Sequence, residues 1–173
     1  MRHQSKKDRQ MTKLVTAGEM LPGLQIIEHK KHEDSRGNFC EQWKITNDNM
    51  RGPIQDGWPF RQLNTATSTR NVLRGMHRQN QFKRVMPLYG KIFDVALEPA
   101  TGRWFGIELD ENSGLLIPPQ YAHGYLVLSD LAIVQYVVDR PYNKAEEENF
   151  NWNNYGIEWP IQGSPILSDK DAV

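Results

Sequence analysis

Apolar residues along this chain come in short bursts that turn polar before a helical repeat can establish itself. Ala132-Ile133-Val134-Gln135-Tyr136-Val137-Val138 and Lys91-Ile92-Phe93-Asp94-Val95-Ala96-Leu97 are typical. Such bursts are rich in β-branched and aromatic residues and are bounded by Gly, Pro, Asn or Asp, which is the pattern of strands. The pattern predicts strands over 24–28, 38–43, 62–66, 72–78, 84–89, 91–97, 104–108, 114–117, 124–128 and 132–138. Leu88-Tyr89-Gly90-Lys91 and Ser129-Asp130 read as hairpin corners between flanking strands. No amphipathic period of about 3.6 residues persists; the best helical candidate is a short turn near 47–50. Many short strands at this spacing predict an all-β, double-sheet barrel of the jelly-roll type, with short helical turns.

Length and charge narrow the class. A chain of 173 residues is long enough for one domain with a substantial core. Residues 14–173 are read as that domain, and 1–13 as a flexible N-terminal extension with a second start-like sequence at Met11-Thr12-Lys13-Leu14. Basic and acidic residues number 21 each, so net charge is zero, which argues against a nucleic-acid-binding surface. The basic N-terminus has no apolar run behind it, so neither a signal peptide nor a membrane anchor is expected. One cysteine, Cys40, cannot form an intrachain disulfide, which fits a reducing, cytoplasmic setting. Mean hydropathy is low at −0.68 despite many aromatic residues, consistent with surface buried against a second subunit.

Two histidine blocks carry the candidate chemistry. Arg74-Gly75-Met76-His77 lies in one predicted strand, and Ala122-His123-Gly124-Tyr125 lies in another. Two histidines in a small barrel either hold a metal or move a proton. A metal-binding barrel brings two ligands from one strand, as His-x-His or His-x-carboxylate. Here the second position is Gln79, a poor ligand, and His123 adds only one more imidazole. No metal and no cofactor are therefore expected. Proton transfer needs a histidine oriented by a carboxylate, a cation near the oxygen that gains charge, and an acid on the other side. His77, Lys83, Tyr136 and either Asp169 or Asp171 could supply these parts. Each also has an ordinary structural explanation when taken singly.

The order of segments resembles the dTDP-4-dehydrorhamnose 3,5-epimerase family, deoxysugar-nucleotide epimerases on a metal-free cupin jelly roll. Asp34-Ser35-Arg36-Gly37-Asn38-Phe39-Cys40-Glu41 is similar to the family's Arg-Gly-x-Phe-x-Glu segment, and Gln62-Leu63-Asn64 to its Gln-x-Asn strand. Val72-Leu73-Arg74-Gly75-Met76-His77-Arg78-Gln79 resembles the Leu-Arg-Gly-Leu-His-Tyr-Gln signature. Lys83 stands seven residues before Gly90, as the family lysine does before its hairpin glycine. The stretch from Ile117-Pro118 to Ser129-Asp130, the tyrosines Tyr136 and Tyr142, and the C-terminal Gly156-Ile157-Glu158-Trp159-Pro160 and Leu167-Ser168-Asp169-Lys170-Asp171 complete the likeness. It runs from about Arg36 to Asp171.

The resemblance implies roles. His77 would be the base and Asp171 its dyad partner, preferred to Asp169 because the family aspartate follows the lysine. Lys83 would stabilise an enolate oxygen, and Tyr136 would be the acid on the opposite face. His123 would line the pocket, Tyr142 would pack on the sugar, Arg74 would contact the pyrophosphate, and Gln62 and Asn64 would hold the nucleotide. Arg36, Phe39 and Glu41 would reach the nucleotide from the partner subunit of a homodimer. The implied reaction is epimerisation of dTDP-4-dehydro-6-deoxy-D-glucose at C3 and C5. Inversion at one centre, a CDP- or GDP-linked substrate, a metal cupin and a non-catalytic sugar-nucleotide binder are the alternatives. The departures from the family pattern are shortened rim loops at 80–82, 97–106 and 153–155, and Arg78 where the family has tyrosine. They bear on base, sugar and number of inverted centres more than on proton chemistry.

Overall fold

The computed structural model describes residues 15–42 and 61–172. The expected extension over 1–13 and the turn near 47–50 lie outside these residues. In chain order the strands are β1 (Thr16–Gly18), β2 (Gln25–Glu28), β3 (Lys31–Asp34), β4 (Gly37–Cys40), β5 (Gln62–Thr69), β6 (Leu73–Arg78) and β7 (Lys83–Tyr89). They continue as β8 (Ile92–Glu98), β9 (Arg103–Leu109), β10 (Ser113–Ile117), β11 (Ala122–Val127), β12 (Leu131–Val138) and β13 (Glu148–Asn149). A 3₁₀ turn, Lys144–Glu146, is capped by the Asn143 side chain, which accepts from the Ala145 N–H.

Two antiparallel sheets face each other. One has six strands in the order β1-β9-β8-β11-β6-β13; the other has five in the order β2-β10-β7-β12-β5. Strands β3 and β4 form a separate two-stranded sheet. All ten predicted strands are present with shifted ends; β1, β3 and β13 were not anticipated, being short and polar. The expectation of hairpins at Gly90 and Ser129-Asp130 is corrected. Strand β7 belongs to one sheet and β8 to the other, as do β12 and β11, so both corners carry the chain between sheets. The two corners pack on each other: Ser129 Oγ accepts from the Lys91 N–H at 2.8 Å and donates to Leu131 O at 2.7 Å. A Cβ on Gly90 (φ +78°) would stand 2.2 Å from Leu131 O, so this corner requires glycine.

The core lies in two layers. Between the sheets, Val85, Ile92, Ala96, Ile107, Leu115, Ile117, Val127 and Val134 are buried. On the outer face of the six-stranded sheet, Leu73, Phe93, Val95, Leu97 and Leu126 are covered by the C-terminal segment through Phe150, Trp152, Tyr155, Ile157, Trp159 and Leu167. Strand β8 is therefore buried on both faces, which explains why apolar residues occupy both faces of it, around the buried Asp94, where an open sheet would alternate. The Trp159 ring meets Phe93 edge-on, and its Nε1–H donates to Trp152 O at 3.1 Å. A parallel bridge between Val72 and Ile166 fastens the end of this segment beside β6. That anchoring brings the chain's last residues to the signature strand.

Candidate active site

The signature strand β6 carries two inward-reaching side chains three residues apart. Alternation along a strand puts positions two apart on one face, so Arg74 and His77 should face opposite ways. The register explains the exception. On β11, His123 pairs with His77 and Tyr125 with Arg74, so two steps on β11 match three on β6. This bulge turns both Arg74 and His77 toward the interior. It depends on close backbone approach: Gly75 has φ +127°, and a Cβ there would lie 2.5 Å from Gly124 Cα.

His77 Nε2 meets Asp171 Oδ1 at 2.7 Å. The two residues are 94 positions apart, joined only because the C-terminal segment is pinned beside β6. Asp171 is buried and its Oδ2 accepts from Ser168 Oγ at 2.9 Å. With Nε2–H given to the carboxylate, the Nδ1 nitrogen of His77 is left as a proton acceptor. Burial, opposed by the Asp171 charge, holds the His77 pKa below its ordinary value, so the ring is neutral near pH 7.

A second relay stands beside the first. Asp94, fully buried on β8, faces His123 Nε2 at 2.7 Å, and His123 Nδ1 lies 3.4 Å from Lys83 Nζ. Burial lowers the His123 pKa, which keeps it a neutral acceptor for the lysine. Lys83 opens β7 and its ammonium sits 5.6 Å from the centre of the Tyr136 ring. Burial pulls the Lys83 pKa from 10.5 to about 8, against the opposing attraction of Asp94 and Glu147. Burial pushes the Tyr136 hydroxyl upward, so it remains protonated at neutral pH. A neutral base, a cation that gives up a proton readily and a protonated phenol thus converge on one polar chamber.

The chamber wall continues along the inward face of β5. Gln62 Nε2 donates to Asn64 Oδ1 at 2.8 Å, and Gln62 Oε1 accepts from the Tyr142 N–H at 2.8 Å. Arg74 Nε donates to Ser68 Oγ at 3.1 Å. The Tyr142 hydroxyl donates to Glu147 at 3.2 Å, and Glu147 pairs with Lys170 at 2.6 Å. Of the residues singled out in the sequence, nine meet here: Gln62, Asn64, Arg74, His77, Lys83, His123, Tyr136, Tyr142 and Asp171. Three do not. Arg36 and Phe39 lie on the β3–β4 hairpin, which pairs with neither large sheet, and Glu41 follows it. Arg36 is turned back onto Asp34 at 2.6 Å, and Phe39 is 69% exposed.

Sequence reasoning missed Asp94, Ser68, Ser168, Glu147 and Lys170 as parts of the site. Asp94 had a signal: a carboxylate inside the apolar run Ile92–Leu97 needs a buried partner. Ser168 stands three residues before Asp171 and its backbone C=O accepts from the Asp171 N–H, a local turn signature. Glu147 and Lys170 carried none, being ordinary surface charges until the fold brings them together. No group of three or more His, Cys, Asp or Glu side chains suited to a metal occurs among the described residues.

The chain is similar in sequence and in fold to known proteins. The family profile described as dTDP-4-dehydrorhamnose 3,5-epimerase matches residues 19–173. The chain is 37% identical over 166 residues to the dTDP-4-dehydrorhamnose 3,5-epimerase of Shigella flexneri, covering 87% of this chain and 89% of that protein. It superposes with a TM-score of 0.80 on the dTDP-6-deoxy-D-glucose-3,5-epimerase of Legionella pneumophila in complex with dTDP-4-keto-L-rhamnose. Identity there is 32%, over 92% of this chain and 90% of that one. A 3'-monoepimerase from Streptomyces bikiniensis in complex with dTDP-quinovose gives a TM-score of 0.78 at 29% identity, over 86% and 81% of the two chains. With a profile spanning nearly the whole described structure, this chain belongs to the dTDP-4-dehydrorhamnose 3,5-epimerase family.

Proposed function

We propose that this enzyme epimerises a dTDP-linked 4-keto-6-deoxysugar, inverting C3 and C5 through an enolate. The observation that carries the reading is the convergence of the His77–Asp171 pair, Lys83 and Tyr136 on one chamber. A ketone at C4 acidifies the hydrogens on C3 and C5, because the carbanion delocalises onto the ketone oxygen. His77 takes that proton; Asp171 holds the ring in the accepting tautomer and stabilises the imidazolium that forms. Lys83 places a charged donor at the developing oxyanion, a contribution of about 3 kcal/mol for donors of this kind. Tyr136 returns a proton from the other face, and the centre is inverted. Repetition at the second carbon gives the double epimer. All these steps use the chain's own side chains and need no cofactor.

Arg74, Gln62 and Asn64 line the same wall, suited to a pyrophosphate and a base, and Tyr142 at the rim offers a ring to stack. Arg36 and Phe39, on a hairpin that forms its own two-stranded sheet, and Glu41 just after it fit a role in the partner's chamber of a homodimer. Sedimentation that gives a monomer at working concentration would remove that part. A cytoplasmic setting agrees with the lone cysteine, and among the described residues no helix is long and apolar enough to cross a membrane.

The similarity to a 3'-monoepimerase makes the number of inverted centres the quantity to measure. The deciding experiment incubates the protein in deuterated water with dTDP-, CDP- and GDP-linked 4-keto-6-deoxysugars and follows the C3 and C5 protons by NMR. Deuterium entering both carbons with inversion of both supports the double epimerase. Entry at one carbon makes it a monoepimerase, and no entry with any substrate overturns the enzymatic reading.

A further inference from the structure

Apolar packing does not hold the rim tyrosine in place. Tyr142 stands in the connection 139–143, between the end of β12 and the 3₁₀ turn. Every residue from Arg140 to Glu146 is exposed, Tyr142 by 52%. A loop that buries no side chain draws its position from hydrogen bonds to its backbone.

Most of those bonds come from the short connection 79–82, between β6 and β7. Gln81 Nε2 donates to two successive carbonyls, Arg140 O at 2.8 Å and Pro141 O at 3.1 Å, so both hydrogens of its amide are used. Gln79 Nε2 donates to Asn143 O at 3.3 Å, and the Phe82 N–H donates to Asp139 Oδ1 at 3.0 Å. The Gln81 N–H donates in turn to Gln79 O at 2.6 Å, which tightens the connection itself. The Tyr142 N–H goes elsewhere, to Gln62 Oε1 on the chamber wall at 2.8 Å. The peptide unit joining Pro141 to Tyr142 is therefore gripped at both ends, its oxygen by Gln81 and its N–H by Gln62. That unit is planar, so fixing both ends fixes its orientation and limits where the Tyr142 side chain can start. The hydroxyl is held separately, by Glu147 at 3.2 Å.

We propose that Gln81 is a positioning residue for substrate binding, which aims the Tyr142 ring at the sugar by holding the Arg140 and Pro141 carbonyls. The proposal rests on the reading above that Tyr142 offers its ring to the substrate. Gln81 acts through Tyr142 and moves no proton. Its loss should therefore weaken binding and leave the chemical step intact.

The test is a double-mutant cycle on Gln81 and Tyr142, with dTDP-4-dehydro-6-deoxy-D-glucose as substrate and inversion followed by NMR. Gln81→Ala should raise KM roughly fivefold, the size expected for one hydrogen bond of ordinary strength, with kcat nearly unchanged. Gln81→Glu, which keeps the size but sets an acceptor against both carbonyls, should raise KM at least as far. Gln81→Lys, which restores a donor, should recover most of the loss. Because the loop is exposed, Tm should move by no more than about 2 °C in any of them. Tyr142→Ala should also raise KM, and adding Gln81→Ala to it should cost nothing further. A general structural effect of Gln81 would persist in that background and would ignore the lysine. If Gln81→Ala does not fold, Gln81→Glu takes its place in the cycle. An unchanged KM in the folded Gln81 variants, or effects of Gln81→Ala and Tyr142→Ala that simply multiply, overturns the positioning role while Tyr142 keeps its own. A parental KM in Tyr142→Ala overturns the placement of Tyr142 on the sugar, and the role of Gln81 with it, so the two failures are distinct.

Discussion

Lys83 should cost the protein stability in the form that serves the reaction. Its ammonium is pulled from a pKa of 10.5 to about 8, chiefly by burial. That difference corresponds to roughly 3 kcal/mol of disfavour for the charged form in the folded state. The side chain keeps part of its surface open to the chamber, so solvent screening reduces the figure to about 1–2 kcal/mol. Lys83→Met retains the apolar stem and removes the charge. It also removes the 3.4 Å contact to His123 Nδ1, a long hydrogen bond whose loss offsets under about 1 kcal/mol. The net expectation is a gain of about 1 kcal/mol at neutral pH, which for a domain of this size raises Tm by roughly 2–4 °C. The sign follows from linkage. A lysine with a lowered folded-state pKa destabilises the fold fully below about 8, and that penalty fades as pH rises toward the unfolded value of 10.5. The stability advantage of Lys83→Met should therefore shrink across that interval. Turnover should fall by a factor of about 10² to 10³. Calorimetry from neutral to alkaline pH, paired with the NMR assay, reads both quantities. A lower Tm for Lys83→Met, or an advantage that grows with pH, would refute the reasoning.

The other expectations can be checked with the same assay. His77→Ala should stop both solvent exchange and inversion, whereas Asp171→Asn should slow them by roughly 10² or more, because only the orienting charge is lost; wild-type rates in folded His77→Ala would mean another base. Tyr136→Phe should retain exchange at the His77 face while inversion falls much further, and an equal loss of both would argue against Tyr136 as the acid. Exhaustive chelation should leave turnover intact, since Gln79 stands where a metal-binding barrel needs a second ligand; loss on chelation with recovery on one divalent metal would reverse that conclusion. Nucleoside diphosphates compared by thermal shift should rank dTDP first, with about 2.7 kcal/mol of added stability at roughly 100 times Kd; stabilisation by CDP or GDP alone would change the substrate and leave the enolisation mechanism standing.

The strands were legible because each is a local matter. A run such as Ile92–Leu97 or Leu131–Val138 carries its own β-branched and aromatic signal, whatever it later packs against. The corners at Gly90 and Ser129-Asp130 were recognised as corners but misread as hairpins. Turn residues report that the chain reverses, whereas partnership in a sheet is set by hydrogen bonds between distant segments. The same divide runs through the site. Ordered motifs from Arg36 to Asp171 pointed to the family and to the types of group required. The sequence could not place Arg74 and His77 on one face, because that follows from a register mismatch with β11. Nor could residues alone choose between Asp169 and Asp171, or reveal that Asp94 sits behind His123. Those pairings exist because an aromatic C-terminal segment covers the outer face of β8 and carries Asp171 across 94 residues to His77. Propensity and motif are properties of neighbours in the chain, but the charge on a buried lysine or the tautomer of a histidine is a property of neighbours in space.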